Sequence, residues 1–210
     1  MPVVNPRVPR ISTALVAAYR SLPPATIGHI LNDGFMDPAI RPVWKRIRLA
    51  GPAITVTLPS NDNYLNREAI RQAEPGDVIV MVRTGADQHA CWGEMTSLNA
   101  KVKGVAGVII DGCITDIVEI EDMGFPAFAR GISAVLGRRV GRDGEINTPV
   151  SCGGVVVHPG DLIVGDDNGI VVMAPEVAER ILPDVQKAED RAPAIRDLLL
   201  AGNFIGDFKA

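Results

Sequence analysis

Aromatic residues make up only 4% of this chain, so its core must be filled mainly by aliphatic side chains. Cysteine is scarce as well. Cys91, Cys113 and Cys152 are odd in number, widely spaced and without a Cys-x-x-Cys pair, which argues against a disulfide framework or a cysteine zinc site. The three histidines, His29, His89 and His158, are too scattered to form a metal-ligand pair. Basic charge is not in excess. With 21 Lys+Arg against 25 Asp+Glu the net charge is -4, which removes the electrostatic footprint of a nucleic-acid binder and leaves protein partners open. No apolar run approaches a membrane span, and Met1-Pro2-Val3-Val4-Asn5-Pro6-Arg7 lacks the apolar region of a signal peptide. A cytoplasmic protein with reduced thiols is expected. No Gly-x-Gly-x-x-Gly follows a strand, so the dinucleotide fingerprint is missing too.

What the chain does have is aliphatic mass. Hydrophobic residues make up 47% of its 210 positions, enough for one sizeable core, and a single domain over 1–210 is expected. Ser12 or Thr13 is placed to cap a first helix through Leu22, stopped by Pro23-Pro24. Ile54 to Leu58 reads as a strand, and Asn61 or Asp62 as the cap of a helix ending before Pro75-Gly76. Asp77 to Arg83 reads as a second strand, Trp92 to Val102 as a helix, and Gly104 to Asp111 as a third strand. A short helix from Asp116 stops at Gly124, a C-cap position, before a strand from Phe125 to Ala129. After Gly131 short β runs take over, with Asp167-Asn168-Gly169 as turn chemistry. A helical segment spans about 175–202, in which Pro183 should break or kink the helix. The fold class is α/β with an added β layer.

The most informative stretch is Gly104-Val105-Ala106-Gly107-Val108-Ile109-Ile110-Asp111-Gly112-Cys113-Ile114-Thr115-Asp116. A β-branched run ends on an acid and a glycine, and a second acid follows at the start of a helical pattern. In open α/β sheets the carboxyl ends of parallel strands are where ligands bind, and a carboxylate there suits a hard divalent cation. On these residues alone, Asp116 could equally do no more than complement a helix dipole. Gly93, opening the helix Trp92-Gly93-Glu94-Met95-Thr96, would leave backbone amides free for an anion.

These motifs, in order with Ala90–Met95, Met123–Gly131, Pro149–Val155, Pro159-Gly160-Asp161 and Gly165–Gly169, resemble the RraA-like family (regulator of RNase E activity A). That family includes the 4-hydroxy-4-methyl-2-oxoglutarate aldolases. The resemblance implies a layered β/β/α swivelling domain like that of phosphohistidine domains, assembled as a homotrimer or hexamer. It implies that the amides of Gly93, Glu94, Met95 and Thr96 bind the carboxylate of a 2-oxo acid. It implies that Asp116 holds Mg²⁺ or Mn²⁺, that the Glu94 side chain orders metal-bound water, and that Glu189 reaches the metal waters of an adjacent subunit.

One position departs from the family. Its motif is Asp-Gly-x-x-Arg-Asp, and here Thr115 stands where the arginine would contact the substrate. Threonine has one short hydroxyl and no charge, and cannot replace a planar bidentate guanidinium. Arg83, Arg130, Arg138 and Arg139 are the candidates to reach the site from elsewhere. The expected function is a metal-dependent lyase cleaving 4-hydroxy-2-oxo acids to pyruvate, with oxaloacetate decarboxylation as a side activity. The alternative is a non-catalytic regulator binding RNase E or another protein, or a divergent enzyme with another substrate.

Overall fold

The computed structural model describes residues 1–59, 61–85, 88–141 and 143–207. Strand β1 (Val3–Val4) leads to helices α1 (Thr13–Tyr19) and α2 (Pro24–Ile27), then β2 (Arg41–Pro42) and the long β3 (Arg48–Pro59). Three strand–helix pairs follow: α3 (Asn66–Gln72) and β4 (Val78–Thr84), α4 (Glu94–Lys103) and β5 (Gly107–Ile114), α5 (Ile117–Asp122) and β6 (Ala127–Ile132). The β-rich part holds β7 (Glu145–Ile146), β8 (Val150–Cys152), β9 (Val155–Val157), β10 (Leu162–Asp166) and β11 (Gly169–Met173). Helix α6 (Pro175–Leu200) comes last, before a 3-10 turn at Ile205–Asp207.

The central sheet runs β1-β7-β3-β4-β5-β6-β2, with β3, β4, β5 and β6 mutually parallel. Their crossover helices α3, α4 and α5 cover one face. The core there gathers Val56, Leu58, Ile79, Met81, Val108, Ile110, Trp92 and Phe125. The other face buries Val78, Val80, Ile109 and Phe128 against β8, β9, β10 and β11. A third cluster joins the outer side of β10 and β11 to α1, α2 and α6 through Tyr19, Ile27, Val171, Ala178 and Ile181. The order is thus helices, sheet, β layer, helices: the mixed α/β class with an added β layer, plus one helical layer more than the sequence suggests.

Strand β3 links the layers. Its first part, Arg48–Pro52, pairs antiparallel with β10, and Ala53–Pro59 pairs parallel with β4. Gly51 sits at the changeover, where any Cβ would collide with the carbonyl oxygen of Gly76.

Three local expectations need correction. Helix α1 ends at Tyr19, and Pro24 opens α2, a first-turn position where its missing N–H costs nothing. The helix after β3 starts at Asn66, and neither Asn61 nor Asp62 caps it. Asp62 accepts instead from the amides of Tyr64, Val140 and Gly141, so it ties down a distant loop. Helix α6 runs unbroken through Pro183 and Pro193. Each proline removes one backbone donor, both lie on the exposed side, and Ala178, Ile181 and Val185 anchor the first half in the core.

Candidate active site at the start of helix α4

The carboxyl ends of β4 and β5 bring two loops side by side. The Cys91 amide donates to the Cys113 carbonyl at 3.1 Å, and the Thr115 amide to the Trp92 carbonyl at 3.0 Å. Asn66 adds a side-chain donor to the Cys91 carbonyl. The buried Trp92 indole donates to Ser97 Oγ at 2.8 Å, pinning the turn onto the first turn of α4. The loop before α4 is therefore held against the loop before α5, and the register of one fixes the other.

Gly93 is the N-cap of α4 and Asp116 the N-cap of α5. A Cβ at Gly93 would collide with Asp116 Oδ2 and come within 2.8 Å of Thr115 Cγ2. Only glycine allows this approach. Asp116 has φ +57 and ψ +43, a left-handed backbone that disfavours a non-glycine residue by about 1–2 kcal/mol. Such outliers gather at functional sites, where the surroundings hold them. Here the geometry aims the carboxylate at α4. Asp116 Oδ2 accepts from the Glu94 amide at 2.9 Å, and the Thr115 hydroxyl donates to Oδ1 at 3.1 Å.

The carboxylate thus occupies the positive end of the α4 dipole. The helix lends its Glu94 amide to the protein's own aspartate. The Met95 and Thr96 amides have no intrahelical acceptor in a first turn. Gly93, Glu94, Thr115 and Asp116 are brought together, with Met95 and Thr96 in the adjoining turn. Glu189 is not among them within one chain: its Oε2 accepts from the Thr26 hydroxyl at 2.7 Å, where α6 packs on α2.

Asp111 sits five residues before Asp116 in a different setting. Its Oδ1 accepts from Arg130 Nε at 2.6 Å and its Oδ2 from the Gly153 amide at 2.7 Å. Arg130 also donates from Nη1 to Asp37 Oδ2 at 2.7 Å, and the two acids push its basicity up further. This lock, which the sequence reading did not anticipate, joins β5, β6, the β8–β9 turn and the loop before β2. The Asp37-Pro38-Ala39 run was its one local sign: Asp37 accepts from the Ala39 amide two residues on, an Asx turn.

The lock engages Arg130, so it does not supply the missing guanidinium. Arg138 lies beside Asn61 and Asp62, and Arg139 beside Tyr64 and Arg67. Arg83, nearly buried on β4, lies across Gly112 on the neighbouring strand and interacts with Cys91. Burial pushes the Cys91 thiol up to about 11, so it is no nucleophile at neutral pH.

Among the described residues no three His, Cys, Asp or Glu side chains converge as a ready-made metal cage. A hydrated magnesium ion does not need one. It keeps most of its waters and takes one or two carboxylates, and the exposed Asp116 carboxylate, held by the Glu94 amide and the Thr115 hydroxyl, fits that demand.

This fold, with an acid set against a glycine-opened helix, agrees with the family match. The chain belongs to the RraA-like family (Aldolase/RraA), matched over residues 25–172. The match starts within α2 and ends within β11, so α1 and α6 lie outside it. A protein of Halalkalibacterium halodurans named "Putative 4-hydroxy-4-methyl-2-oxoglutarate aldolase" is 37% identical over 192 residues, covering 89% of this chain and 90% of its own. The crystal structure of Streptomyces coelicolor RraAS2, described as an unusual member of the RNase ES inhibitor RraA protein family, is 27% identical. It covers 89% of this chain and 98% of its own with a TM-score of 0.78. An uncharacterized Pseudomonas syringae protein shares the fold at a TM-score of 0.80, with 24% identity over 95% of this chain and 94% of its own.

Proposed function

We propose that this chain is a divalent-metal-dependent carbon–carbon lyase that cleaves 4-hydroxy-2-oxo acids to pyruvate, with oxaloacetate decarboxylation as a side activity. The observation that carries this reading is the Asp116 carboxylate, set against the start of α4 by a left-handed backbone. The relative named as an aldolase adds weight.

Asp116 would hold Mg²⁺ or Mn²⁺, largely through water, with Glu94 beside it. When bound, the ion supplies Lewis-acid polarisation of a 2-oxo oxygen. The chain's own groups do the rest. The amides of Met95 and Thr96 take the substrate carboxylate, and the bare Gly93 gives the room in which Asp116 is set beside them. The Thr115 hydroxyl holds Asp116 by Oδ1 and so fixes the rotation of the carboxylate. It brings no positive charge to the substrate, so turnover is slow.

The working assembly is a ring of three copies, or two such rings. Supporting this, Met95, Leu98 and Val102 form an exposed apolar stripe at i, i+3 and i+7 on α4, the helix that starts at the site. In that ring Glu189 of the partner subunit is the added acid. Sedimentation giving a stable monomer at micromolar concentration removes this shared site.

A second reading, a regulator that binds RNase E or another protein, is favoured by Thr115 and by the likeness to RraAS2. The deciding measurement is pyruvate release from 4-hydroxy-2-oxo acids and oxaloacetate with Mg²⁺ or Mn²⁺. Slow turnover that a chelator abolishes supports the lyase. Silence on every 2-oxo acid hands the function to the regulatory reading.

A further inference from the structure

At the opposite, amino end of β4 and β5 lies a cleft of about 460 Å³. Arg20, just past α1, and Arg48, at the start of β3, both line it. Leu49, Ala50, Pro75 and Ala106 give it apolar walls. Neither arginine has a carboxylate within ion-pair distance among the described residues; Arg48 reaches only the Ser21 carbonyl, at 3.5 Å. Asp166, opposite Arg48 on β10, accepts from Asn168, and the acids beside Pro75 and Gly76 are already taken. Asp77 is held by Arg7 and Arg10, and Glu74 pairs with the same two arginines. The cleft therefore keeps two permanently charged guanidiniums that no ion pair closes, in a chain whose net charge is -4.

We propose that this cleft is a second ligand site, which binds the phosphate group of a small phosphorylated organic molecule. Two guanidiniums from separate elements can grip different oxygens of a tetrahedral phosphate, whereas a planar carboxylate is matched by one. The apolar walls suit a carbon skeleton. The site is separate from the Asp116 loop: α4 spans the distance between them, with Gly93 at one end and Gly104 at the cleft. It does not depend on the lyase reading.

Calorimetry on the full chain, with pyrophosphate and inorganic phosphate as probes, tests it. Binding at millimolar concentration or below is expected, weakened about tenfold or more in the double variant Arg20→Ala, Arg48→Ala, in line with the loss of charge-assisted hydrogen bonds. Both side chains are exposed, so the double variant should melt as the native protein does, and a melting curve checks this. The Asp116→Ala variant should bind pyrophosphate as the native protein does. Three outcomes overturn the proposal: no binding of either probe at millimolar concentration, undiminished binding by the double variant, or equal binding of succinate, which would mark plain anion attraction.

Discussion

Asp111 and Asp116 stand five residues apart at the same end of the same sheet, yet the protein treats them in opposite ways. Asp111 keeps an extended strand backbone, where the β5–β6 register shifts, and spends both oxygens on Arg130 and the Gly153 amide. Asp116 is forced into a left-handed backbone and receives only the Glu94 amide and the Thr115 hydroxyl. One carboxylate is closed by charge and serves architecture. The other is exposed, strained and open to further partners. An acid at a strand end is thus not by itself a metal site. What separates the two is whether a cation of the protein has already claimed the oxygens.

Substitutions can break that contrast. Asp116→Ala should have the largest effect. Loss of a metal ligand should weaken Mn²⁺ binding beyond the ~10–100-fold typical of a supporting group; calorimetry showing equal affinity would remove Asp116 as the ligand. Gly93→Ala comes next. Its methyl must displace the Asp116 carboxylate, and a misplacement of about 1 Å can cost ~10²-fold in rate. Oxalate binding should be lost while circular dichroism stays native, and a variant that still binds oxalate refutes the docking of the carboxylate on α4.

Thr115→Arg should raise metal-dependent pyruvate release by about tenfold, part of the ~10²–10³ typical of one oxyanion donor. A native protein that gains nothing from it already draws on another guanidinium, and Arg83 is then the one to examine. Asp111→Asn sharpens the comparison from the other side. It should lower stability by about 1–3 kcal/mol, from the lost partner of Arg130, and leave Mn²⁺ affinity unchanged. Weakened metal binding in a folded Asp111→Asn protein would mean that the two acids share one role.

The smallest effect is a pH dependence. The Arg130 guanidinium, helped by the Ala39 amide, holds the Asp37 carboxyl below the usual carboxylate range. A depressed folded value means the stabilisation is complete above the unfolded value and fades as pH falls through the folded one. Acid melts of the native protein should therefore lose slightly more stability than those of Asp37→Asn; parallel acid limbs would show that the pair contributes nothing.

Much of this frame was legible in the sequence. The runs in β4 and β5 are β-branched and buried on both faces, and Gly104 and Gly124 end their helices with positive φ. Strands β1, β2 and β7 have two residues each, too short for any periodicity to register. The site loop was visible as Gly93 and the Thr115-Asp116 pair. Its left-handed turn was not, because an aspartate there looks like any N-cap. The Asp37–Arg130–Asp111 lock spans as many as 93 positions, beyond the reach of local pattern. Glu189 shows the converse: its acidic helix face was plain in the sequence, but its bond to Thr26 depends on how α6 packs.

Strand β3 has a consequence for how the protein opens. Its backbone is one uninterrupted segment, zipped to β10 over one part and to β4 over the other. Local openings in proteins follow cooperative units that can separate from their neighbours. Here the seam between two units is itself a strand, so peeling away the β10–β11 hairpin must bare the same chain that holds the parallel sheet. The amides near Ala53, where both partners meet, should exchange with solvent only when the whole body comes apart.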